Sequence, residues 1–182
     1  MDRGAAYYRR YLDGDESAFD GIMDELFFGL VFFIDRYVRD VHAAEEIAMD
    51  AMTELFVHPD RYNFKTALKT YLYMIGKHLA FRYLKKKRKR QETDLPDPSL
   101  LEGDDDPAAQ VLSNERSRIL SAAIGKLPRD LSAVIHLIYF EEMSYVEAGT
   151  VMGKNKKQID NLLYRAKKAL REILGEEGKE LI

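Results

Sequence analysis

The chain has 182 residues, of which 46% are hydrophobic, and a formal net charge of −3 at pH 7. This length allows one medium-sized domain or two small ones, each with a hydrophobic core. There is no cysteine, which excludes disulfides and thiolate metal sites. No apolar run reaches the roughly 18 residues of a membrane span, and the polar start is unlike a signal peptide. We therefore expect a soluble, cytoplasmic protein.

Three helices are predicted in the first 90 residues. Apolar residues recur at steps of three and four between Phe19 and Val38, which is typical of a long helix with one buried face. A second helix is expected from about His42 to Val57, because the proline that follows His58 disfavours helical backbone in the residue before it. A third helix is expected over about residues 65–89. Its predicted inner face consists of Leu68, Leu72, Ile75 and Leu79.

Residues 91–107 are predicted to be a flexible acidic linker between two small domains, residues 1–90 and 108–182. The stretch from Glu92 to Asp106 contains seven acidic residues, no basic residue and two prolines, with almost no apolar periodicity. The run Asp104-Asp105-Asp106 could hold a cation, but we interpret it as part of an unstructured linker.

The second half is predicted to contain four more helices, so the fold class is all-α. Asp106-Pro107 is a favourable helix start, because it offers a capping carboxylate followed by proline at the first position. Ser144 and Glu147 have the spacing of a capping box, and Asn155 can cap the last helix. The expected helices span about residues 107–125, 128–141, 144–153 and 155–174.

The last two predicted helices have the layout of a helix-turn-helix, with residues 144–152 as the first helix and 156–173 as the second. In this layout, early residues of the second helix reach base edges and others contact phosphate. A lysine-rich helix that merely faces solvent is the alternative at this stage. The outward face of the second helix carries Lys157, Asn161, Tyr164, Arg165 and Lys168.

The first domain carries a second basic surface that the net charge hides. Residues 82–90 contain seven bases and no acid, whereas residues 13–54 contain twelve acids and two arginines. Residues 61–65 interleave aromatic and polar side chains with basic ones, a pattern that suits single-stranded nucleic acid. Alternatively, the tyrosines cover the core and the basic run is a solvated helix end; we favour this for Tyr73 and Tyr83. One stripe of the third helix carries Tyr71, His78, Arg82, Lys85 and Lys89.

No pattern in the sequence indicates catalysis, so we expect no enzyme activity, no catalytic residue, no metal and no cofactor. The four histidines lack the spacing of a metal site, and no serine belongs to a histidine–carboxylate pattern. Residues 149–155 are similar to a phosphate-binding loop, but this segment is one residue too short and no Ser or Thr follows it.

Taken together, these segments resemble bacterial RNA polymerase sigma factors. The stretches Ala44–Phe56 and Tyr71–His78 look like their conserved second region. Leu127-Pro128, Tyr139–Glu147 and Tyr164–Leu170 look like their fourth region. No segment between them resembles the third region, which indicates the small extracytoplasmic-function (ECF) group. The resemblance covers most of the chain in the right order.

The resemblance implies a first domain that binds the −10 promoter element and a second that binds the −35 element. It further implies core RNA polymerase as the partner and transcription initiation as the function. Residues 63–65 fall in a loop that holds a flipped −10 base in the family, and Tyr71 takes the place of an aromatic residue that supports strand opening. The expected −10 site consists of Arg61, Asn63, Phe64, Lys65, Tyr71, His78, Arg82 and Lys85. The expected −35 site consists of Lys156, Lys157, Gln158, Asn161, Arg165 and Lys168. The expected polymerase site consists of Glu46, Met49 and Asp50.

Two other functions stay open at this stage. One is a helix-turn-helix regulator whose first domain senses a ligand or dimerises, and the other is a helical adaptor whose basic faces meet an acidic protein. Binding to core polymerase separates a sigma factor from both. His78 and Arg82 stand where the family usually has asparagine and aspartate, so the resemblance does not specify the promoter sequence. Whether an anti-sigma factor is a further partner also stays open.

Overall fold

The computed structural model describes residues 2–93 and 115–175, and its contacts divide the chain into two compact units, residues 1–99 and 100–182. Every regular element within the described residues is helical, which confirms the predicted all-α fold. The last helix of the first unit continues through Thr93, three residues into the segment predicted as a linker. Residues 94–107 of that segment, and the helix start predicted at Asp106-Pro107, lie outside the described residues.

The described part of the first unit packs around its second helix. This helix contacts the other three, and Ile22, Leu26, Leu30 and Ile34 on its inner face are at most 1% exposed. The apolar pattern of the sequence therefore marks the centre of this core. The helices are α1 (Arg3–Leu12), α2 (Ala18–Val38), α3 (Val41–Val57) and α4 (Leu68–Thr93), and a 3-10 turn at Pro59–Arg61 precedes α4.

Helix α1 was not predicted. Asp2 caps its first turn, since the carboxylate accepts a hydrogen bond from the N–H of Ala5 at 3.0 Å. Tyr8 on its inner side is fully buried. The segment contains three tyrosines and three arginines up to residue 12, so a count of aliphatic residues shows no periodicity. The aspartate cap and the tyrosine spacing are the signals that would have indicated this helix.

The predicted inner face of α4 is confirmed at Leu68 and Leu72, which are fully buried, but not at its other two residues. Ile75 and Leu79 are only half-buried, whereas Tyr73 and Gly76 are buried. A Cβ atom on Gly76 would lie 2.8 Å from a methyl carbon of Leu30, so glycine allows α2 and α4 to approach closely. This close approach turns Tyr73 into the core, as favoured from the sequence, and leaves Ile75 and Leu79 at the edge.

The described part of the second unit packs around its last helix. Its helices are α5 (Glu115–Gly125), α6 (Arg129–Ile135), α7 (Tyr145–Met152) and α8 (Lys156–Leu174). Helix α8 contacts α5, α6 and α7. The helix predicted over residues 128–141 is present as α6 followed directly by a π-helical turn (His136–Phe140). This turn closes with a 3.0 Å bond from the N–H of Glu141 to the carbonyl of His136. None of the described helices is both long and apolar enough to cross a membrane.

Candidate nucleic-acid interface

The loop of residues 61–67 connects the 3-10 turn to α4, and side-chain hydrogen bonds hold its backbone. The hydroxyl of Tyr62 donates to the carbonyl of Thr66 at 2.7 Å, and Tyr62 is 4% exposed. The carboxamide oxygen of Asn63 accepts from the N–H of Lys65 at 3.1 Å, which is the geometry of an Asx turn. Asn63 and Lys65 are both exposed, so the loop presents an amide and an ammonium group on a defined backbone.

Phe64, between these two residues, faces the protein. Its ring centroid lies 4.6 Å from that of Tyr62 and 6.2 Å from that of Tyr8. The guanidinium carbon of Arg9 lies 4.8 Å from the same centroid. Phe64 has a φ of +59°, which is uncommon for a bulky residue. The half-buried ring is therefore an anchor of the loop, and the exposed groups beside it are the ones available to a ligand.

Tyr71 lies next to this anchor, with its ring centroid 5.0 Å from that of Tyr62. Burial first, and then the negative charge of Glu54, raise the pKa of Tyr71 above its usual value. The ring is half-buried and carries a neutral hydroxyl at physiological pH. Arg61 forms an ion pair with Glu54, so its charge is engaged within the protein.

A groove of about 600 Å³ runs between α3 and α4 beside the loop. Asp50 and Glu54 of α3 form one wall, and His78 and Arg82 of α4 form the other, with Tyr71 also lining the groove. The structure thus brings together three residues of the predicted −10 site and places Asp50, predicted to contact polymerase, opposite them. Met74, Ile75 and Leu79 of α4 add apolar side chains to the lining of the groove.

The remaining predicted residues of the first unit lie on exposed helix surfaces. Lys85 follows Arg82 by one turn of α4 and is exposed. Glu46 and Met49 are exposed on α3, and Met49 is 48% exposed despite its apolar side chain. The three residues of the predicted polymerase site therefore form one surface that ends, at Asp50, in the groove.

Helices α7 and α8 form the predicted helix-turn-helix, and two capping boxes fix its geometry. The hydroxyl of Ser144 accepts from the N–H of Glu147 at 3.2 Å, and the Glu147 carboxylate accepts from the N–H of Ser144 at 2.8 Å. Asn155 and Gln158 make the same reciprocal pair, both bonds being 2.9 Å. Gly153 ends α7 with a φ of +68°, which glycine adopts without steric cost.

The turn between these helices is tight. The N–H of Lys154 donates to the carbonyl of Gly149 at 2.8 Å. A Cβ atom on Gly149 would lie 2.5 Å from the carbonyl oxygen of Lys154, closer than van der Waals contact permits. Ile159 and Leu163 on the inner side of α8 are buried, which fixes the rotation of the helix.

That rotation exposes the whole predicted −35 set. Tyr164, in the middle of this surface, is 72% exposed. The carbonyl oxygen of the Gln158 carboxamide is engaged in capping, so only its NH₂ group remains available. Leu162 is half-buried and Ile173 is 40% exposed, so these two apolar residues lie at the edge of the inner face. The exposed members of the set are Lys156, Lys157, Gln158, Asn161, Arg165 and Lys168.

Besides Tyr8, two charged side chains at α1 support the 61–67 loop and were not predicted to belong to any site: Asp2, which caps the helix, and Arg9. The second carboxylate oxygen of Asp2 accepts from the N–H of Leu68, the first residue of α4, at 2.7 Å. Arg9 lies over the ring of Phe64. Since these contacts join residues far apart in the chain, no local spacing in the sequence could have indicated them.

Comparison with known proteins matches each of the two units to a protein family. Residues 29–90 match the family described as Sigma-70 region 2, and residues 117–170 match the family described as Sigma-70, region 4. Among curated proteins, the chain is 29% identical over 170 residues to the ECF RNA polymerase sigma factor SigW of Bacillus subtilis, covering 88% of this chain and 91% of the relative. It is 26% identical over 170 residues to the RNA polymerase sigma-H factor of Pseudomonas aeruginosa, covering 88% of each.

Solved structures of similar fold agree with this assignment. The sigma factor RpoE of Bartonella quintana, solved in complex with the anti-sigma factor NepR, superposes with a TM-score of 0.68 at 19% identity, covering 86% of this chain and 96% of that one. CnrH, solved in complex with the cytosolic domain of CnrY, gives a TM-score of 0.64 at 19% identity over 95% and 96% of the two chains. At this identity the likeness concerns the fold.

The two family matches together span well over half of the chain, in the order of a sigma factor, and they coincide with the helix α3–α4 region and the helix-turn-helix described above. The chain therefore belongs to the ECF group of bacterial RNA polymerase sigma factors, the non-catalytic initiation factors that bind core RNA polymerase and recognise the −10 and −35 promoter elements.

Proposed function

We propose that the two units divide promoter recognition between them, joined by a linker in the part of the predicted segment 91–107 that follows α4. In this proposal the first unit, residues 1–90, captures the opened −10 strand with the 61–67 loop and α4. The second unit, residues 108–182, reads the duplex −35 element with α8. The observation that carries the proposal is the pair of exposed Asn63 and Lys65 side chains on a loop whose aromatic anchor, the half-buried Phe64, packs against Tyr62.

The chemistry of the loop suits a single unstacked base. The amide of Asn63 can bind a base edge, and the ammonium group of Lys65 can meet a phosphate. Base–aromatic stacking is worth roughly 1–3 kcal/mol, comparable with the few kcal/mol that extruding a base costs, so the half-buried Tyr71 can help to hold an open strand. Beyond the loop, His78, Arg82 and Lys85 continue the site along α4, whereas Arg61 contributes less because Glu54 already neutralises it.

The outward face of α8 suits the major groove of duplex DNA. Lys156 and Lys157 lie in its first turn, where residues of a recognition helix reach base edges, and Asn161 can pair with adenine. Arg165 and Lys168 follow on the same face, further along the helix, where contacts with the phosphate backbone are expected. All of these side chains are exposed and none is required for the core.

The exposed face of α3 is our candidate for the polymerase contact. Glu46 and Asp50 supply negative charge, and the exposed Met49 supplies a flexible apolar group between them. This combination suits a helical partner surface with basic residues around an apolar centre. Since the groove begins at Asp50, polymerase bound here would lie next to the captured strand.

We further propose that the protein acts in the cytoplasm and without catalytic activity or a cofactor of its own. Strand opening then draws on binding energy to extruded bases and backbone. One of the similar solved structures is a complex with an anti-sigma factor, which supports such a protein as a further partner of this chain.

The test compares two templates. Asn63→Ala and Lys65→Ala variants of the full chain are assembled with core polymerase and assayed by run-off transcription on a duplex promoter and on one with a pre-melted −10 bubble. We expect loss on both templates if the loop captures the base, and rescue by the bubble if its role is confined to melting. Lys126→Ala, which removes an exposed charge from the other unit, is the control. Full activity of both loop variants on both templates, with normal folding, would contradict the proposal.

A further inference from the structure

Helix α1 is tied to the point where the 61–67 loop ends. The carboxylate of Asp2 caps two helices at once: one oxygen accepts from the N–H of Ala5 in α1 at 3.0 Å, and the other accepts from the N–H of Leu68 at 2.7 Å. The first N–H groups of a helix have no partner within that helix. Asp2, 66 positions away in sequence, therefore satisfies the start of α4 and fixes the end of the loop.

The same helix also holds the beginning and the middle of the loop. The buried hydroxyl of Tyr8 donates to the carbonyl of Leu55 at 2.7 Å, which joins α1 to the end of α3. The ring of Tyr8 lies 5.8 Å from that of Tyr62, centroid to centroid. One residue further, the exposed guanidinium of Arg9 lies 4.8 Å from the centroid of Phe64.

Phe64 is the residue for which this support is needed. Its left-handed backbone is intrinsically unfavourable for an aromatic side chain and persists only where the surroundings impose it. Within the loop, the ring of Tyr62 and the turn at Asn63 support it. The support from outside the loop comes from α1, through Tyr8 and Arg9. Because Asn63 and Lys65 flank Phe64, the position of its ring determines where those two exposed side chains are presented.

We infer that Arg9 and Asp2 are positioning residues for −10 recognition, through which α1 holds the 61–67 loop in its base-capturing conformation. Arg9 acts by stacking on Phe64, and Asp2 acts by capping α4. Neither residue needs to touch DNA for this role. The inference rests on the proposed function of the loop.

The test measures base preference rather than activity alone. Full-length variants are assembled with core polymerase and transcribe a library in which the −10 and −35 elements are randomised separately, and the transcripts are sequenced. Arg9→Ala should reduce the base preference in the −10 element by about two- to fivefold, the size expected for one exposed cation–π contact, and leave the −35 preference unchanged. Asp2→Ala should act in the same direction, and Asp2→Asn, which keeps one acceptor oxygen, should have a smaller effect.

Arg10→Ala is the matched control, because it removes the same charge from the next position of the same helix. Arg10 pairs with Asp15, with the guanidinium Nε 2.9 Å from the carboxylate, so the loop loses no contact. A general loss of stability would lower transcription from every promoter without changing base preference. Unchanged −10 preference in both Arg9→Ala and Asp2→Ala, with Asp2→Asn folded and equally unaffected, would overturn the inference.

A double-mutant cycle separates stacking from a direct contact with DNA. If Arg9 acts through Phe64, Arg9→Ala should have little further effect on −10 preference once Phe64→Leu is present. Full additivity of the two substitutions would overturn the inference in favour of a phosphate contact by Arg9. Suppose that Asn63→Ala or Lys65→Ala loses −10 preference while the Arg9 and Asp2 variants keep theirs. This result would reject the inference, and the proposed loop function would stand. Inert Asn63 and Lys65 variants would reject both.

Discussion

The hydroxyl of Tyr8 supplies a hydrogen bond that the backbone cannot provide. In a helix the carbonyl of Leu55 would accept from the residue four positions later, which is Pro59 and has no N–H. The buried Tyr8 hydroxyl donates to this carbonyl instead, at 2.7 Å. Tyr8→Phe keeps the ring and its packing against neighbouring aromatics but leaves the Leu55 carbonyl buried without a donor.

We expect this substitution to destabilise the first unit by about 1–3 kcal/mol, the cost of an unsatisfied buried acceptor. For a unit of roughly 100 residues, each kcal/mol lowers the melting temperature by about 4–8 °C. Urea and thermal denaturation of the full chain by circular dichroism measure the loss, and hydrogen exchange assigns it to α1 and α3. Tyr11→Phe removes a hydroxyl from the half-buried ring one turn later and should change stability by less than about 0.5 kcal/mol. Equal stability of Tyr8→Phe and the wild type would show that the Leu55 carbonyl does not depend on the Tyr8 hydroxyl as its donor.

Four further predictions concern the pH dependence of stability, the domain boundary, the outward face of α8 and the turn between α7 and α8. The free energy of unfolding should fall as pH rises from 10 to 12, because burial raises the pKa of Tyr8 to about 12 while unfolded tyrosine titrates near 10. In urea titrations over this range, Tyr8→Phe should lose less unfolding free energy than the wild type. Limited proteolysis should cut first within residues 91–107 and leave two protected helical fragments, and a single protected unit would contradict the predicted boundary. Lys157→Ala and Arg165→Ala should weaken −35 duplex binding without weakening polymerase binding. A lost phosphate contact should lower the slope of log affinity against log salt concentration by about one unit, and a lost base contact should cost about 1–3 kcal/mol. Fluorescence anisotropy measures both. Gly149→Ala should destabilise the second unit by about 1–3 kcal/mol in thermal denaturation, because its Cβ would lie 2.5 Å from a backbone carbonyl oxygen; unchanged stability would show that the turn relaxes.

Sequence reasoning succeeded where the signals are local. The spacing of apolar residues along α2 fixes its buried face, and the capping residues Ser144 and Asn155 fix where α7 and α8 begin. Since those two starts and the inner contacts of Ile159 set the rotation of α8, the exposed face that we propose to bind DNA followed from the sequence as well.

It failed where contacts join distant positions. Asp2 caps α4 across 66 positions, and the close approach of α2 at Gly76 leaves Ile75 and Leu79 at the edge of the core. The placement of Asp50 opposite His78 and Arg82 likewise depends on how α3 packs against α4, which no spacing within either helix reveals.

Run-off transcription tests the central claim most directly. The purified chain is combined with core RNA polymerase and a library of templates randomised at both promoter elements, and the transcripts are sequenced. Our account predicts start-site-specific transcripts that depend on the added chain, with a selected −35 sequence lost in Lys157→Ala and a selected −10 sequence lost in Asn63→Ala. Polymerase binding without any selected promoter sequence, or duplex binding without any effect on transcription, would contradict it.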